Sequence, residues 1–295
     1  MAPPAHRYRS SDEDSGRWER FELRPDDIVI STRSKSGTTW MQMICALLVF
    51  RTPGLPAPLA TLSPWLDWLV VPEEEVFERL RAQEHRRFIK THTPLDGVPI
   101  RSGVTYLVVA RHPLDLAVSL YHQSANLDRE RIAELTGQPQ GVRRARLPLE
   151  EWLASWASSS ADPREELDSL PGVMHHLTDA WRRRDEENVL LVHYDDLRAD
   201  LDGQMRWIAD RLGIQVPESE WPPLVEAATF DAMRSRADDV APDPSGILKS
   251  RAAFFRGGVS GTGEALLAPE ELDRYRDRVA ELAPPDLVAW LHRHR

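Results

Sequence analysis

Short apolar runs alternate along the chain with longer segments of helical pattern. The runs are rich in aliphatic and β-branched residues, and they predict buried strands at 27–32, 87–91, 105–110 and 188–193. The helical segments, several of which open with proline, lie at 113–126, 148–157, 173–184, 201–212 and 269–282. Strands that alternate with helices predict an α/β fold, in which a parallel sheet has helices on both faces.

The N-terminus lacks this pattern. Residues 1–20 are polar, charged and Pro-rich, so we expect them to form a flexible tail. We expect residues 21–295 to form a single domain, because no internal repeat is visible. The Pro-rich segments 52–64 and 216–223 are typical of loops within a domain.

Composition limits the possible functions. The 295 residues are 41% hydrophobic, which is enough for a sizeable core. The formal net charge of −10 argues against non-specific nucleic-acid binding, which requires a basic surface. Any site for an anion must therefore be local.

Cysteine content and hydropathy indicate the compartment. The single cysteine, Cys45, lies in an apolar run, which excludes a disulfide framework and a cysteine-based metal site. The N-terminus has no stretch like a signal peptide, and no run of roughly 18 apolar residues occurs. We therefore expect a cytoplasmic protein with no membrane partner.

Lysine is rare in this chain. Only three of the 37 basic residues are lysines, namely Lys35, Lys90 and Lys249. A compact ammonium and a planar guanidinium are not interchangeable. We therefore hypothesise that lysine is retained where a point charge is required.

The first candidate site is the segment 35–40, Lys-Ser-Gly-Thr-Thr-Trp, between the first predicted strand and an apolar helix that starts near Thr39. Backbone N–H groups and the helix dipole favour an anion at such a position. The lysine precedes the glycine, so this is not the standard Gly-x-x-x-x-Gly-Lys-[Ser/Thr] loop. A capped helix start with an incidental lysine is the alternative.

Two further strand ends carry candidate residues. Lys90 and His92 lie at the end of the second predicted strand, and a base beside a cation suits transfer to a hydroxyl. Arg111 and Ser119 follow the third, where an arginine favours a bidentate phosphate contact. Taken singly, His92 is also consistent with a structural role, and Arg111 with an ion pair to a surface carboxylate.

Together the motifs resemble those of the cytosolic sulfotransferases, which carry three hallmark segments in this order. These are Lys-Ser-Gly-Thr-Thr-Trp at 35–40, Lys-Thr-His at 90–92 and Arg-x-Pro-x-Asp-x-x-x-Ser at 111–119. The likeness continues through 194–197, 229–233 and 254–258. It implies a bacterial enzyme with a P-loop-like strand-loop-helix unit. Such an enzyme transfers the sulfuryl group of 3′-phosphoadenosine 5′-phosphosulfate (PAPS) to a hydroxyl or amine of a small acceptor, without a metal.

The resemblance also implies a role for each matched residue. His92 would take the acceptor's proton, while Lys90 steadies the moving sulfuryl oxygens and Lys35 the departing oxygen. Trp65 and Trp68 would line the pocket of an aromatic or apolar acceptor. The implied catalytic residues are His92, Lys35, Lys90 and Ser119. The implied donor-binding residues are Lys35, Ser36, Gly37, Thr38, Thr39, Trp40, Arg111, Ser119, Tyr194, Thr229, Phe230, Met233, Phe255, Arg256, Gly257 and Gly258.

The sequence departs from the family pattern at several positions. Arg33 stands where the family has a tyrosine, and Gly257 where it has a lysine that contacts the 3′-phosphate. Ala228 replaces a threonine, for which the adjacent Thr229 is a possible substitute. The family's dimer motif, expected at 264–273, lacks its lysine and valine, so dimerisation through it is not expected.

Two other functions stay open at this point. A nucleotide-dependent phosphotransferase would share the strand-loop-helix unit and hold magnesium through Asp195 or Asp196. A nucleotide-binding protein without turnover would explain the loss of the family lysine at Gly257. A metal site at His175 and His176 is disfavoured, because adjacent helical residues point apart.

Overall fold

The fold is built on a parallel sheet. The structure is a computed structural model that describes residues 3–138 and 145–293. The strands in these residues are β1 Ile28–Ser31, β2 Phe88–Thr91, β3 Thr105–Ala110 and β4 Val189–His193. They lie in the order β2-β1-β3-β4, and every pairing is parallel. Each strand lies within its predicted run, so the predicted α/β fold is confirmed.

Helices connect the strands and cover the sheet. Those before β3 are α1 Arg17–Arg20, α2 Thr38–Phe50, α3 Leu59–Leu62 and α4 Glu73–Ala82. Those between β3 and β4 are α5 Pro113–Asn126, α6 Arg129–Thr136, α7 Leu149–Ala157 and α8 Leu170–Arg182. Those after β4 are α9 Tyr194–Ala199, α10 Leu201–Arg211, α11 Trp221–Ala227, α12 Phe230–Ser235, α13 Ala237–Val240, α14 Arg251–Phe254, α15 Pro269–Leu282 and α16 Pro285–Leu291. Within the described ranges, every helix is too short or too polar to cross a bilayer.

A local cap explains the largest shift of a predicted helix boundary. The periodic pattern predicts a start at 173 for α8, but the helix begins at Leu170. The Ser169 hydroxyl accepts a hydrogen bond from the N–H of Gly172 at 3.1 Å, and Pro171 occupies the first turn. Both features stabilise a helix start, and both precede the periodic apolar residues.

Strand side chains alternate between two hydrophobic clusters, one on each face of the sheet. Val29 of β1 packs in the cluster that includes α5, α8 and α15. Its neighbours Ile28 and Ile30 pack in the cluster that includes α2 and α10. In β3, Val108 packs in the first of these clusters and Leu107 in the second. The period of two along a strand therefore places a core on each side of the sheet.

Strand order determines where a ligand can bind. The chain passes from the central β1 to the edge strand β2, and then returns past β1 to β3 and β4. Open α/β sheets bind ligands at the carboxyl ends of strands, where the direction of this progression reverses. The loops that follow Ser31, Thr91 and Ala110 leave this edge, so the three hallmark motifs meet there.

The N-terminal segment differs from the flexible tail that the sequence predicts. In the described residues 3–20, the Trp18 side chain is fully buried and Tyr8 is 2% exposed. Arg17 is also buried and donates to the carbonyl oxygen of Trp68 at 2.7 Å. The two aromatic rings bury apolar surface against distant parts of the chain, which a local pattern does not reveal.

The same segment extends the edge of the sheet. Residues 64–68 run beside β2, where Trp65 and Lys90 form a parallel bridge. The N-terminal segment runs antiparallel to 64–68, where Glu13 pairs with Trp68. Main-chain hydrogen bonds of 2.8 to 3.1 Å hold both contacts. The N-terminus therefore reaches the carboxyl end of β2.

Candidate active site

A cavity of about 750 Å³ lies at the carboxyl edge of the sheet. Most of the predicted site residues line it, namely Lys35, Gly37, Thr38, Thr39, Trp40, Trp65, Trp68, Lys90, His92, Arg111, Ser119, Tyr194, Phe230, Met233, Phe255, Arg256, Gly257 and Gly258. Ser36 and Thr229 are not among its lining residues. Ser36 is buried, and the Thr229 hydroxyl caps α12 by accepting from the N–H of Ala232 at 3.2 Å.

The loop between β1 and α2 contains two residues with positive φ. Lys35 has a φ of 66° and Gly37 a φ of 108°. A Cβ at Gly37 would lie 3.0 Å from the Tyr194 ring, so both conformation and space require glycine. A lysine with positive φ is the kind of backbone strain that occurs at functional sites. The loop leads directly into α2 at Thr38, whose helix N-terminus favours an anion.

The Lys35 ammonium lies in a cluster of cations. Its Nζ is 3.7 Å from the ring centroid of Phe254. Burial, followed by the charges of Arg111, Lys90 and Arg256, lowers the pKa of Lys35 to about 7. A bound anion would raise this pKa again, since an opposite charge favours the protonated form. The cluster is therefore suited to a ligand with several negative charges.

Arg111 joins the loop between β1 and α2 to the C-terminal part of the cavity. Its guanidinium donates to the carbonyl oxygens of Lys35 at 3.2 Å and Val259 at 3.1 Å. It also lies 4.5 Å from the ring centroid of Tyr194. The Arg111 Nε is buried and has no hydrogen-bond partner among the described residues. An unpaired buried donor is costly, and a ligand oxygen can satisfy it.

Asp115 positions the loop that follows Arg256. Its carboxylate accepts from the N–H groups of Gly261 at 2.7 Å and Gly263 at 2.9 Å, and from the Thr262 hydroxyl at 3.2 Å. Asp115 is buried in the first turn of α5. The sequence motif contains this aspartate, but the motif by itself indicates no role for it. The structure shows that it ties α5 to a loop more than a hundred residues away.

Aromatic side chains line another part of the cavity. Trp40 donates from Nε1 to the carbonyl oxygen of Ala228 at 2.8 Å, and its ring lies edge-on to Tyr194 with centroids 5.3 Å apart. The acceptor of the Trp40 hydrogen bond is a main-chain oxygen. This bond therefore does not depend on the family threonine, which is Ala228 in this chain. Gly258 has a φ of 60°, and a Cβ there would approach the Phe230 ring to 2.9 Å. Glycine is therefore needed where the loop passes this ring.

His92 is held in one tautomer. Its Nδ1 lies 2.5 Å from the carbonyl oxygen of Thr32, which can only accept, so Nδ1 carries the proton and donates it. The remaining nitrogen, Nε2, then has a free lone pair. Burial, followed by the charges of Lys90 and Arg33, keeps the pKa of His92 well below 6.5. At neutral pH the imidazole is therefore uncharged and able to accept a proton.

The two predicted pocket tryptophans lie beside His92. Trp65 stacks on Trp68 with ring centroids 4.8 Å apart, and it meets the His92 ring edge-on at 4.5 Å. The Lys90 ammonium is 3.9 Å from the centroid of Trp65. Burial lowers the pKa of Lys90 to about 8. Trp65 therefore contacts both Lys90 and His92, whereas Trp68 packs behind it.

Arg33 is a site residue for which the sequence indicates no role. It is buried, donates to the carbonyl oxygen of His92, and forms a 2.6 Å ion pair with Asp168. Thr32 therefore binds the His92 ring and Arg33 binds the His92 main chain, so His92 is held from two sides. The sequence feature that marks this residue is that an arginine stands where the family has a tyrosine.

The carboxylates expected of a magnesium-dependent phosphotransferase make other contacts. Asp195 accepts a hydrogen bond from the Ser260 hydroxyl, and Asp196 pairs with Arg293. Neither aspartate is among the residues that line the cavity. Their positions do not support that alternative.

The adjacent histidines on α8 contact other side chains. His176 Nε2 lies 3.2 Å from the Ser31 hydroxyl, and His175 Nε2 lies 2.8 Å from the Tyr8 hydroxyl. Residues 3–138 and 145–293 contain no group of three or more His, Cys, Asp or Glu side chains placed to hold a metal. The two histidines connect the sheet and the N-terminal segment to α8.

The fold and the cavity together define the class of protein. A cationic loop at a strand end, aromatic rings and a neutral histidine beside a lysine suit a transferase whose donor is an anionic nucleotide. The sulfotransferase domain family matches residues 25–283. The chain therefore belongs to the sulfotransferase family.

Comparison with known proteins agrees with this assignment. A glycolipid sulfotransferase of Mycobacterium bovis is 44% identical, and the match covers 98% of this chain and 94% of that protein. Mouse sulfotransferase SULT7A1, solved with 3′-phosphoadenosine 5′-phosphate (PAP), is 23% identical with a TM-score of 0.67, covering 94% and 90% of the two chains. Retinol dehydratase, solved with retinol and PAP, is 20% identical with a TM-score of 0.70, covering 95% and 86%. The protein is a PAPS-dependent sulfotransferase, and PAP is its nucleotide product.

Proposed function

We propose that His92 is the general base for direct transfer of the sulfuryl group to an acceptor hydroxyl or amine. The observation that carries this proposal is the hydrogen bond from His92 Nδ1 to the carbonyl oxygen of Thr32. This bond leaves Nε2 as a proton acceptor on a residue that lines the cavity. A positioned base of this kind assists attack by a weakly acidic hydroxyl.

The transfer needs no covalent intermediate on the enzyme. The acceptor oxygen forms a bond to sulfur while the bond from sulfur to the bridging phosphosulfate oxygen breaks, and the acceptor proton passes to His92. Lys35 stabilises the charge on the departing oxygen, and Lys90 stabilises the sulfuryl oxygens. Donor and acceptor held in line in one cavity gain the advantage of proximity.

The donor occupies the cationic and aromatic parts of the cavity in this proposal. The start of α2 and Lys35 hold the 5′-phosphosulfate, and Trp40 and Phe230 flank the adenine. The 3′-phosphate lies against Arg111, Ser119 and Arg256. Support comes from the two arginines and from the unpaired Arg111 Nε, which is a donor available to a phosphate oxygen. Gly257 supplies no charge to this group, unlike the family lysine.

The 3′-phosphate contacts predict a preference between nucleotides. We expect PAP to bind roughly 10 to 150 times more tightly than adenosine 5′-phosphate, because charged hydrogen bonds contribute about 1.5–3 kcal/mol. Calorimetric titration with both nucleotides measures the ratio. Arg256→Ala should reduce this ratio, whereas Arg276→Ala, at an exposed position of α15, should not. If the unmodified protein binds PAP and adenosine 5′-phosphate equally well, the proposed contacts of Arg111, Ser119 and Arg256 with the 3′-phosphate are wrong.

The acceptor side of the cavity is largely apolar. Leu120, Leu127, Ile132, Trp152 and Trp156 line it, and they come from α5, α6 and α7 or their connections. Relatives at 44% identity are named glycolipid sulfotransferases. We therefore propose an acceptor with an apolar body, which extends the predicted small apolar acceptor to glycolipid-like molecules. Trp65 and Trp68 would form the wall nearest the base.

Transfer to such an acceptor can be measured directly. We expect ³⁵S label to pass from PAPS to octyl β-D-glucoside, or to members of a panel of phenols, alcohols and amines, with EDTA present throughout. The reason is that lysines, arginines and a helix N-terminus neutralise the donor in this site. Phosphorylation of the same acceptors with ATP, dependent on magnesium, would favour the phosphotransferase alternative instead.

Two further expectations accompany this function. We propose that the protein works in the cytoplasm, which the buried free thiol of Cys45 supports. We also propose that it does not dimerise through 264–273. In this segment Glu264 lies 3.5 Å from His112 of the same chain, and Leu267 is buried within the fold.

A further inference from the structure

A carboxyl group that the proposed transfer does not use lies in the cavity. Glu13, on the N-terminal segment, is one of the lining residues. Its Oε2 is buried and has no hydrogen-bond partner within the described residues. A buried polar atom without a partner destabilises the fold and calls for an explanation. A ligand that supplies the missing hydrogen bond is such an explanation.

The place of Glu13 is on the acceptor side. Its main chain pairs with Trp68, the Trp68 ring stacks on Trp65, and Trp65 touches His92. Glu13 is also close enough to Lys90 to raise the pKa of that ammonium. These contacts run continuously from Glu13 to the base. A molecule whose hydroxyl faces His92 and whose body spans the two tryptophans can therefore place another polar group at Glu13.

The surroundings of Glu13 favour a neutral carboxyl. Burial and the nearby carboxylates outweigh the attraction of Arg33 and raise the pKa of Glu13 to about 8. These carboxylates are Asp12, Asp67 and Asp168. Within the described residues Arg33 forms no ion pair with Glu13: its two terminal nitrogens bind Asp168 and the His92 carbonyl oxygen, and its buried Nε has no partner. A protonated carboxyl has one donor and one acceptor oxygen.

We propose that Glu13 hydrogen-bonds a second hydroxyl of the acceptor, distinct from the hydroxyl that is sulfated, and thereby selects sugar-bearing acceptors. This inference rests on the proposed function, since it assumes that the acceptor oxygen faces His92. A carboxyl that both donates and accepts matches a hydroxyl, which also does both.

The test compares octyl β-D-glucoside with 1-octanol, which has the same alkyl chain and one hydroxyl. The ratio of their kcat/KM values is measured for the unmodified protein, Glu13→Gln and Glu13→Met. Glutamine keeps a donor and an acceptor, and methionine keeps the volume without either. We expect Glu13→Met to reduce the preference for the glucoside about 10- to 100-fold, because a polar partner for the second hydroxyl is lost. Glu13→Gln should retain most of it.

Glu19→Met is the matched control, since Glu19 is exposed on the same N-terminal segment and does not line the cavity. Unchanged PAP affinity confirms that each variant is folded, and Glu13→Ala serves as a second truncation. An unchanged ratio in both truncations overturns the role of Glu13 and leaves the proposed function standing. PAP binding without label transfer to either acceptor overturns the proposed acceptor class, and the Glu13 inference with it.

Discussion

Replacing His92 with alanine is expected to reduce kcat by roughly 10²–10⁴, with PAP affinity within a few-fold of normal. In the proposed mechanism the imidazole accepts the acceptor proton only as transfer proceeds, whereas Arg111 and Lys35 would hold the nucleotide in both the ground state and the transition state. His92→Asn sharpens the comparison, because its amide can still donate to the Thr32 carbonyl oxygen but cannot act as a base. Single-turnover transfer of ³⁵S separates the chemical step from product release.

The pH dependence of the same reaction provides a second measure. The pKa of His92 is depressed, so the basic form persists below pH 6.5 and is lost only as pH falls through this lowered value. The acid limb of kcat/KM should therefore lie below pH 6.5 and disappear in His92→Asn. His85→Ala is the control, because His85 does not line the cavity. Normal rates in both His92 variants, with an acceptor hydroxyl of high pKa, would exclude His92 as the base.

Replacing Lys35 with alanine is expected to weaken donor binding and to slow transfer together. In the proposed mechanism its ammonium would contact the phosphosulfate in the ground state and the departing oxygen in the transition state. Loss of one charged contact should reduce PAP affinity roughly 10- to 150-fold, with a further loss in kcat. Isothermal titration and single-turnover kinetics measure the two effects separately.

The arginine variant tests why lysine is retained here. Lys35 has positive φ, and its Nζ packs 3.7 Å from the ring centroid of Phe254. A planar guanidinium is larger than an ammonium. Lys35→Arg should therefore also bind the donor weakly and transfer slowly, even though it keeps the charge. Lys249→Arg is the matched control, because Lys249 is exposed and its ammonium donates to the carbonyl oxygen of Ala125 at 3.0 Å. Near-normal turnover of Lys35→Arg would show that the compact ammonium is not needed.

The lowered pKa of Lys35 adds a pH signature to this prediction. Burial and neighbouring cations place it at about 7, so the free enzyme loses this charge as pH rises through that value. The donor's kcat/KM should therefore decline above about pH 7 in the unmodified protein. Arginine stays protonated throughout this range. Whatever activity Lys35→Arg retains should lack this decline.

The parts of the site that are predictable from sequence follow short strands. Lys35, His92 and Arg111 each come directly after an apolar run, and the carboxyl ends of parallel strands share one edge. That rule alone predicts that the three motifs meet, and the family resemblance implies their roles. Two matched positions, Ser36 and Thr229, do not line the cavity, because a motif records residue order and not the direction of each side chain.

The residues that complete the site are not predictable in this way. Arg33 pairs with Asp168, which is 135 residues distant, and Asp115 holds a loop that begins 146 residues later. The sequence predicts a flexible tail at the N-terminus, yet this segment brings Glu13 into the cavity. Each of these contacts depends on how whole elements pack.

The sequence by itself determined the parallel α/β fold, the place of the loop between β1 and α2, and the sulfotransferase family, because strand periodicity and contiguous motifs are encoded within a few neighbouring residues. Only the tertiary structure decided which tautomer His92 adopts, which cations surround Lys35 and that the N-terminal segment reaches the cavity. Those properties depend on distances between residues far apart in the chain. Burial and charge at such contacts follow from packing, which no local pattern contains.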